Sequence, residues 1–249
     1  MATENMILTL KHHVMNGRLA ETKKVLAAAQ LSLEDCVDED SNTPLHWCCQ
    51  GLEVPLEQRD SSEREMLAFL LQNGAPRNRQ NILGETPLML AVLLANHDGG
   101  QRATPLIEDL LKKANADPNR ATPEQGETPL MNAAAGNFVP IGQLLLEARA
   151  NPDAATNSGL TALNWAEESK AEAFIKLLKS PIAQRARAEA AELGSGRENE
   201  EDEDRALPER VAKKIDQTLF GQKLRPGLAA DKDAPGKPYP EFGTLHDID

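Results

Sequence analysis

Aromatic residues are scarce in this chain of 249 residues, where phenylalanine, tyrosine and tryptophan together make up 3% of the total. The apolar share as a whole is 40%, so a hydrophobic core must be built mainly from leucine, alanine, isoleucine and valine. Such side chains suit thin helical layers stacked in a row better than a thick globular centre. The composition therefore favours a stack of short helices.

Positive charge is also limited, because 27 lysines and arginines stand against 39 aspartates and glutamates, for a formal net charge of −12. Nucleic acid and anionic membranes bind clustered basic residues, so we expect neither as a partner. No apolar run is long enough to cross a membrane, and residues 1–10 carry no basic region ahead of an apolar one. Three cysteines are too few for a disulfide framework, so we expect a protein of the cytoplasm or nucleus.

The sequence also lacks the motifs used in catalysis and metal binding. It has no Gly-rich phosphate loop, no Ser or Cys nucleophile motif and no paired-His zinc motif. His46, Cys48 and Cys49 are close in sequence, but adjacent helical residues such as the two cysteines point about 100° apart and do not converge on one metal ion. We therefore predict a non-catalytic protein with no cofactor, no metal site and no small-molecule substrate, in which both cysteines are small core residues.

What the chain does contain is a short sequence motif that occurs four times, called the phrase below. Its fullest copy opens on Thr128-Pro129-Leu130-Met131, continues through an Ala-rich run and ends at Gly136. A threonine that caps a helix, a proline that suits the first turn and a glycine stop together predict one short helix. Further copies begin at Thr43, Thr86 and Thr161, at intervals of 43, 42 and 33 residues.

This phrase resembles the Thr-Pro-Leu-His motif of the ankyrin-repeat family, whose unit is about 33 residues long. The resemblance implies a β-turn and two antiparallel helices in each unit, with neighbouring units stacked into an all-α solenoid. It also implies that His46, at the motif histidine position, bonds the backbone of neighbouring β-turns. The family commonly binds other proteins, so the resemblance implies a protein-binding scaffold or adaptor that uses the turn tips and a concave helical face.

The phrase and the composition divide the chain into an ankyrin-repeat domain at 1–193 and two extensions. The predicted divisions are an N-terminal cap at about 5–37, repeats at about 38–80, 81–122 and 123–155, a C-terminal cap at 156–180, an extra helix at 181–193, an acidic flexible linker at 194–206, and a short amphipathic helix with a largely disordered docking tail at 207–249. The two long intervals place extra residues around 52–62 and 96–102, on the edge opposite the turn tips. Tolerated surface loops are the first interpretation of these insertions, and binding sites are the second.

Contact residues are expected at positions that the family leaves free, namely the turn tips and the ends of the first helices. The predicted binding residues are Glu39, Asp40, Asn42, Trp47, Ile82, Leu83, Glu85, Leu93, Leu94, Glu124, Gln125, Glu127 and Asn132. The acidic members form a rim that favours a basic partner surface, and the apolar members of the central unit are the predicted hot spot. For Trp47 and the equivalent Trp165, packing between units is the first interpretation, and partner contact is the alternative.

The segment after the linker is the second candidate binding region. It concentrates scarce apolar and aromatic side chains, among them Val211, Ile215, Leu219, Phe220, Tyr239 and Phe242. These residues predict tail docking onto another protein, which makes a permanent structural subunit of a larger assembly the alternative function. A third possibility is that the predicted helix folds back onto the repeats and blocks them.

Overall fold

The computed structural model describes residues 2–29 and 32–194, so the predicted linker and tail, with all six tail-docking residues, lie outside the described part. Within that part the helices are α1 (Ala2–Met15), α2 (Leu19–Ala29), α3 (Pro44–Gln50), α4 (Glu63–Gln72), α5 (Pro87–Leu93), α6 (Ala103–Lys112), α7 (Pro129–Ala135), α8 (Val139–Glu147), α9 (Ala162–Glu168), α10 (Glu172–Leu178) and α11 (Pro181–Gly194). None of these helices is both long and apolar enough to span a bilayer.

The helices pack in two rows, as expected of stacked helix pairs. In the first row α1 contacts α3, α3 contacts α5, α5 contacts α7 and α7 contacts α9. In the second row α4 contacts α6, α6 contacts α8 and α8 contacts α10, and α11 packs on α8 and α10. The predicted all-α solenoid is confirmed, and its core lies between the rows, where Leu45, Leu88 and Leu130 are fully buried at the same position of the phrase.

The four phrase threonines begin the first helix of each full unit. Thr43, Thr86, Thr128 and Thr161 are the N-cap residues of α3, α5, α7 and α9, each with extended backbone angles. Proline follows directly in α3, α5 and α7, where its missing N–H costs no helical hydrogen bond. The capping threonine, the proline and the small residues therefore determine where these helices begin, as predicted.

A β-turn precedes each of these helices, and all four turns close in the same way. The N–H of the residue before the threonine donates to a side-chain oxygen at the start of the turn. The four bonds are Asn42 N to Asp38 Oδ1 at 2.8 Å, Glu85 N to Asn81 Oδ1 at 2.9 Å, Glu127 N to Thr122 Oγ1 at 3.0 Å and Leu160 N to Thr156 Oγ1 at 3.0 Å. Each turn therefore has a rigid base on which its tip is displayed.

The turns also share one residue with positive φ, which is Gly84, Gly126 and Gly159 in three of them but Ser41 in the first, at φ 60°. A side chain in this left-handed region costs roughly 1–2 kcal/mol, against roughly 0.5–1 kcal/mol of lost chain entropy for glycine. We predict that Ser41→Gly raises the free energy of unfolding by about 0.5–1 kcal/mol in urea titrations. Ser158→Gly, at a position of the last turn without positive φ, is the control and is expected to lower it slightly. Equal effects of the two substitutions would contradict the prediction.

The chain shortly after α4, α6 and α8 also takes positive φ, at Gly74 (80°), Asn115 (52°) and Arg149 (68°). Arginine is the unexpected residue at such a site. Its guanidinium Nε lies 3.1 Å from a carboxylate oxygen of Glu189 in α11. Arg149 therefore connects the unit of α7 and α8 to α11. Glycine, which has no side chain, could not make this contact.

Both long insertions are ordered, and two arginines hold them. Arg59, in the loop of residues 51–62 between α3 and α4, donates to the carbonyls of Met15 and Gly51, the latter at 2.8 Å. Arg102, before α6, donates to the carbonyls of Leu52 and Val54 at 3.0 Å. The Glu63 carboxylate, buried at the start of α4, contacts both guanidinium groups. This arginine–glutamate cluster ties α1, both insertions and α4 together.

Candidate functional site

The β-turn tips and the first-helix row form the candidate site, but the structure removes four residues from the predicted set. Asn42, Glu85 and Glu127 are buried, because each is the residue whose N–H closes its turn. Asn81 Nδ2 further links the first two turns by donating to Asn42 Oδ1 at 3.1 Å and to Glu85 Oε2 at 3.2 Å. The Asn42 side chain is therefore joined to the second turn, and all three side chains are too buried to offer much surface to a partner.

Trp47 is the fourth correction, since its side chain is fully buried. The indole Nε1 donates to Asp38 Oδ2 at 3.0 Å, and the ring belongs to the hydrophobic core. The packing interpretation therefore describes Trp47, and the same holds for the buried Trp165 of α9.

The acidic rim that remains accessible is smaller than the predicted one. Glu39 and Asp40 are exposed on the first tip, Glu124 is exposed on the third, and Gln125 and Asn132 are half-buried. The N–H of Ile82 donates to the Asp40 carbonyl at 3.0 Å, which joins the first tip to the second. The acidic pair Glu39 and Asp40 is thereby held beside the apolar tip of the central unit.

Apolar exposure is concentrated on that central unit. Leu83 on the tip is 41% exposed and Leu93 at the end of α5 is 36% exposed. Ile82 and Leu94 are half-buried, and Leu94 packs against the core. Leu90 is also half-buried and packed against the core; it lies three residues before Leu93 and so on the same helix face. Leu83 on the tip and Leu90 and Leu93 on α5 are together called the leucine strip.

One half-buried carboxylate, which is not among the predicted contact residues, positions the first tip. Asp38 accepts hydrogen bonds from Lys11 Nζ at 2.7 Å, from the N–H groups of Asn42 and Asp40 at 2.8 and 3.1 Å, and from Trp47. Burial alone would raise the pKa of Asp38, but the bonds from Lys11, Asn42 and Trp47 outweigh it and hold the pKa below its usual value. The available signal was an aspartate nine residues before a tryptophan, where the other turns begin with Asn or Thr.

His46 fills the role that the family resemblance implied. Its Nδ1 accepts from the N–H of Thr43 at 3.1 Å, so Nε2 carries the proton and donates to the Glu85 carbonyl at 2.9 Å. Burial lowers the pKa of His46 to about 4, against opposing contributions from the Glu85 carbonyl and the Asp38 carboxylate. The neutral imidazole thus joins α3 to the next turn and is structural.

The cysteines of α3 are core residues, as predicted. The Cys48 thiol donates to the Glu63 carbonyl at 3.4 Å and the Cys49 thiol to the Pro87 carbonyl at 3.2 Å. Burial raises the pKa of Cys48 to about 12 and that of Cys49 well above its ordinary value. Such thiols are poor nucleophiles and poor metal ligands. No group of three His, Cys, Asp or Glu side chains suited to a metal ion occurs in residues 2–29 and 32–194.

Comparison with known families accounts for most of the described chain. Residues 101–187 match the family model for three copies of ankyrin repeats, and residues 40–82 match the model for a single ankyrin repeat. Together the matches include α3, α4 and α6 to α10. The gap between them, at 83–100, contains Leu83, α5 and most of the second insertion.

Individual relatives agree with these models over parts of their length. An ankyrin repeat-containing protein of Schizosaccharomyces pombe is 31% identical over 116 residues, which are 45% of this chain and 42% of that protein. The 26S proteasome non-ATPase regulatory subunit 10 of Rattus norvegicus is 36% identical over 72 residues, 29% of this chain and 26% of the subunit. A putative palmitoyltransferase of Danio rerio is 25% identical over 74% of this chain but only 31% of its own length. The chain thus spans less than half of each of these relatives.

Proposed function

The chain belongs to the ankyrin-repeat family, and from that premise we propose that it is a scaffold or adaptor that binds a partner protein through its turn tips and first-helix face. Ankyrin repeats generally mediate protein–protein interaction and are typically non-catalytic. We infer that the partner surface is an apolar patch with basic residues around it. The three cysteines are free and buried, which supports a reducing compartment such as the cytoplasm or nucleus.

The exposed leucine strip is the observation that carries this proposal. Leu83 and Leu93 lie on rigid elements, and the tip that carries Leu83 is bonded to its neighbour through Ile82 and Asp40. Apolar anchors held in place lose little conformational entropy on binding, so they account for much of the affinity of an interface. The nearby Glu39 and Asp40 would steer a basic partner toward the strip and disfavour an acidic one.

We predict that the double variant Leu83→Asp, Leu93→Asp loses its partner, because each substitution puts a charge where an apolar contact is expected. Retained proteins would be quantified by mass spectrometry after capture from native extract on the full chain. The expected loss is at least tenfold, or roughly 1.4 kcal/mol of binding free energy. Leu8→Asp is the matched control, since Leu8 is a 66% exposed leucine on α1, outside the central unit that carries the strip.

The charge reversal Glu39→Lys, Asp40→Lys tests the acidic rim separately. It should weaken retention of the same protein and reduce the dependence of retention on salt. Circular dichroism and thermal unfolding would establish that each variant is folded. If the double leucine variant retains the same proteins in the same amounts as the Leu8→Asp control, the proposed binding surface is wrong.

A further inference from the structure

The loop of residues 51–62 between α3 and α4 is held more firmly than a tolerated insertion requires. Besides the Arg59 and Arg102 bonds, Ser61 Oγ donates to the Gly17 carbonyl at 2.5 Å, and Asp60 N donates to the Asn16 carbonyl at 3.3 Å. Two short 3-10 turns, Gly51–Glu53 and Leu56–Gln58, shape the loop itself. The loop is therefore anchored at its start, middle and end to α1 and to the second insertion.

This anchoring displays an apolar side chain outward. Leu56 is 61% exposed at the start of the second 3-10 turn, next to the exposed Pro55 and the half-buried Val54. Three acidic residues of the same loop, Glu53, Glu57 and Asp60, are exposed. The loop thus presents one apolar projection with carboxylates around it.

The burial of a charged side chain distinguishes this loop from a surface insertion that is merely tolerated. The Arg59 side chain is 1% exposed, so its charge has been taken out of water to bond backbone carbonyls of α1 and of the loop. Buried ionic groups contribute little net stability compared with apolar packing, and their best-attested use is to specify one conformation. A loop kept in a single conformation before binding loses less entropy when it binds.

We propose that the loop of residues 51–62 is a second docking element, which inserts Leu56 into an apolar pocket of a partner protein whose rim carries lysine or arginine. The exposed carboxylates define the charge of that rim. The loop follows the C-terminal end of α3, whereas the turn tips precede its N-terminal end, and seven residues of helix separate the two by about 10 Å. The protein therefore has a docking element at each edge.

The first test is photo-crosslinking of the full chain in native extract, with benzoylphenylalanine placed at the exposed Gln58. We expect adducts on partner peptides that contain lysine or arginine, with a yield that falls as salt is raised. Adding Leu56→Asp should lower the yield at least tenfold, while adding Leu8→Asp should leave it unchanged. Adducts that survive Leu56→Asp, or that form only with a second copy of this chain, overturn the proposal.

The second test needs no partner and examines whether the loop is preformed. The N–H groups of Val54, Gln58 and Arg59 donate to the carbonyls of Gly51, Pro55 and Leu56 at 3.0–3.2 Å. Amide hydrogen exchange of the free full chain should show protection at these three positions. Arg102→Met should reduce both the protection and the crosslinking yield. Random-coil exchange in the wild-type loop refutes preformation.

Each of the two docking surfaces can be disrupted by substitution without loss of binding at the other. The Leu83→Asp, Leu93→Asp variant is expected to keep its crosslinks from position 58, and the Leu56→Asp variant is expected to keep the protein captured by the leucine strip. Loss of both partners in either variant, with the fold intact, would mean that one partner covers both edges and that the loop is not a separate element.

Discussion

Replacing Glu63 with alanine is expected to lower the free energy of unfolding by about 3–5 kcal/mol, because the substitution leaves buried positive charge without its partner. The Glu63 carboxylate is buried between the guanidinium groups of Arg59 and Arg102. Burial lowers the pKa of Arg59, and the Glu63 carboxylate is the largest factor that opposes it. Without that carboxylate, the two arginines would repel each other inside the insertion.

The measurement is urea unfolding of the full chain, followed by circular dichroism at pH 7. Glu65→Ala is the matched control, since Glu65 lies two residues further along the same first turn of α4 with an exposed side chain. We expect the control to change stability by less than about 0.5 kcal/mol. Glu63→Gln, which keeps an acceptor but not the charge, should lie between the two. A small and equal effect of Glu63→Ala and Glu65→Ala would show that the cluster is solvated.

The consequence of losing this cluster extends beyond one repeat. In a solenoid each unit is stabilised mainly by its neighbours, so a defect between α1 and α6 weakens every interface across which the insertions reach. The substitution Glu63→Ala should therefore increase amide exchange, relative to wild type, more in α3 and α4 than in α9 and α10. The position of the damage, and not only its size, tests the role assigned to the insertions.

The helix starts of this fold were predictable because their causes are local. A threonine cap, a proline and a run of small residues act within four or five positions, and they placed α3, α5, α7 and α9 correctly. Asn115 and Arg149 take positive φ at the position that Gly74 occupies in its own unit. Signals that repeat along the sequence and act over short range are the ones that a single sequence carries.

The accessible part of the binding site was only partly predictable, because exposure depends on the next unit. Glu85 and Glu127 look like surface residues, yet each closes a turn on which the neighbouring turn then stacks. The Arg102–Glu63 contact joins residues 39 apart in sequence, and the Arg59 bond to Met15 spans 44. No short pattern predicts such pairs, so tolerated loops are the first interpretation of the insertions that the sequence alone supports.

The pH dependence of stability is expected to be dominated between pH 6.5 and 4 by His46. Its pKa falls from an ordinary value of 6.5 to about 4 in the folded chain, mainly through burial. The unfolded chain therefore binds a proton that the folded chain does not, and stability falls as the pH is lowered through this window. At 1.36 kcal/mol per pKa unit, the loss approaches about 3 kcal/mol at pH 4. The Asp38 carboxylate, whose pKa is lowered, adds a further loss only at more acidic pH.

His46→Met is the substitution that isolates this effect, because Met89 and Met131 already occupy the same position in the next two units. The variant loses the Nε2 bond to the Glu85 carbonyl, but that oxygen keeps the N–H of Asn81 at 3.0 Å. It also loses Nδ1 as the acceptor for Thr43 N–H, a role that a methionine sulfur can take, as Met131 Sδ does for Thr128 N at 3.4 Å. We therefore expect it to be less stable than wild type by about 1 kcal/mol at pH 7. Since it lacks the titrating imidazole, it should lose less stability on acidification.

The two stability curves should cross at about pH 5.5. Below that pH the methionine variant should be the more stable protein. By then the wild type has lost more free energy of unfolding than the hydrogen bond contributes. Urea titrations at half-unit intervals from pH 7.5 to 4.5 would locate the crossing. The pKa of His13 is also lowered, chiefly by burial, so a smaller slope of the same sign should persist in the variant. Above pH 7 the two curves should run parallel, which serves as the internal control. Curves that stay parallel down to pH 4.5 would mean that His46 is protonated in the folded chain and does not donate from a neutral imidazole to the neighbouring turn.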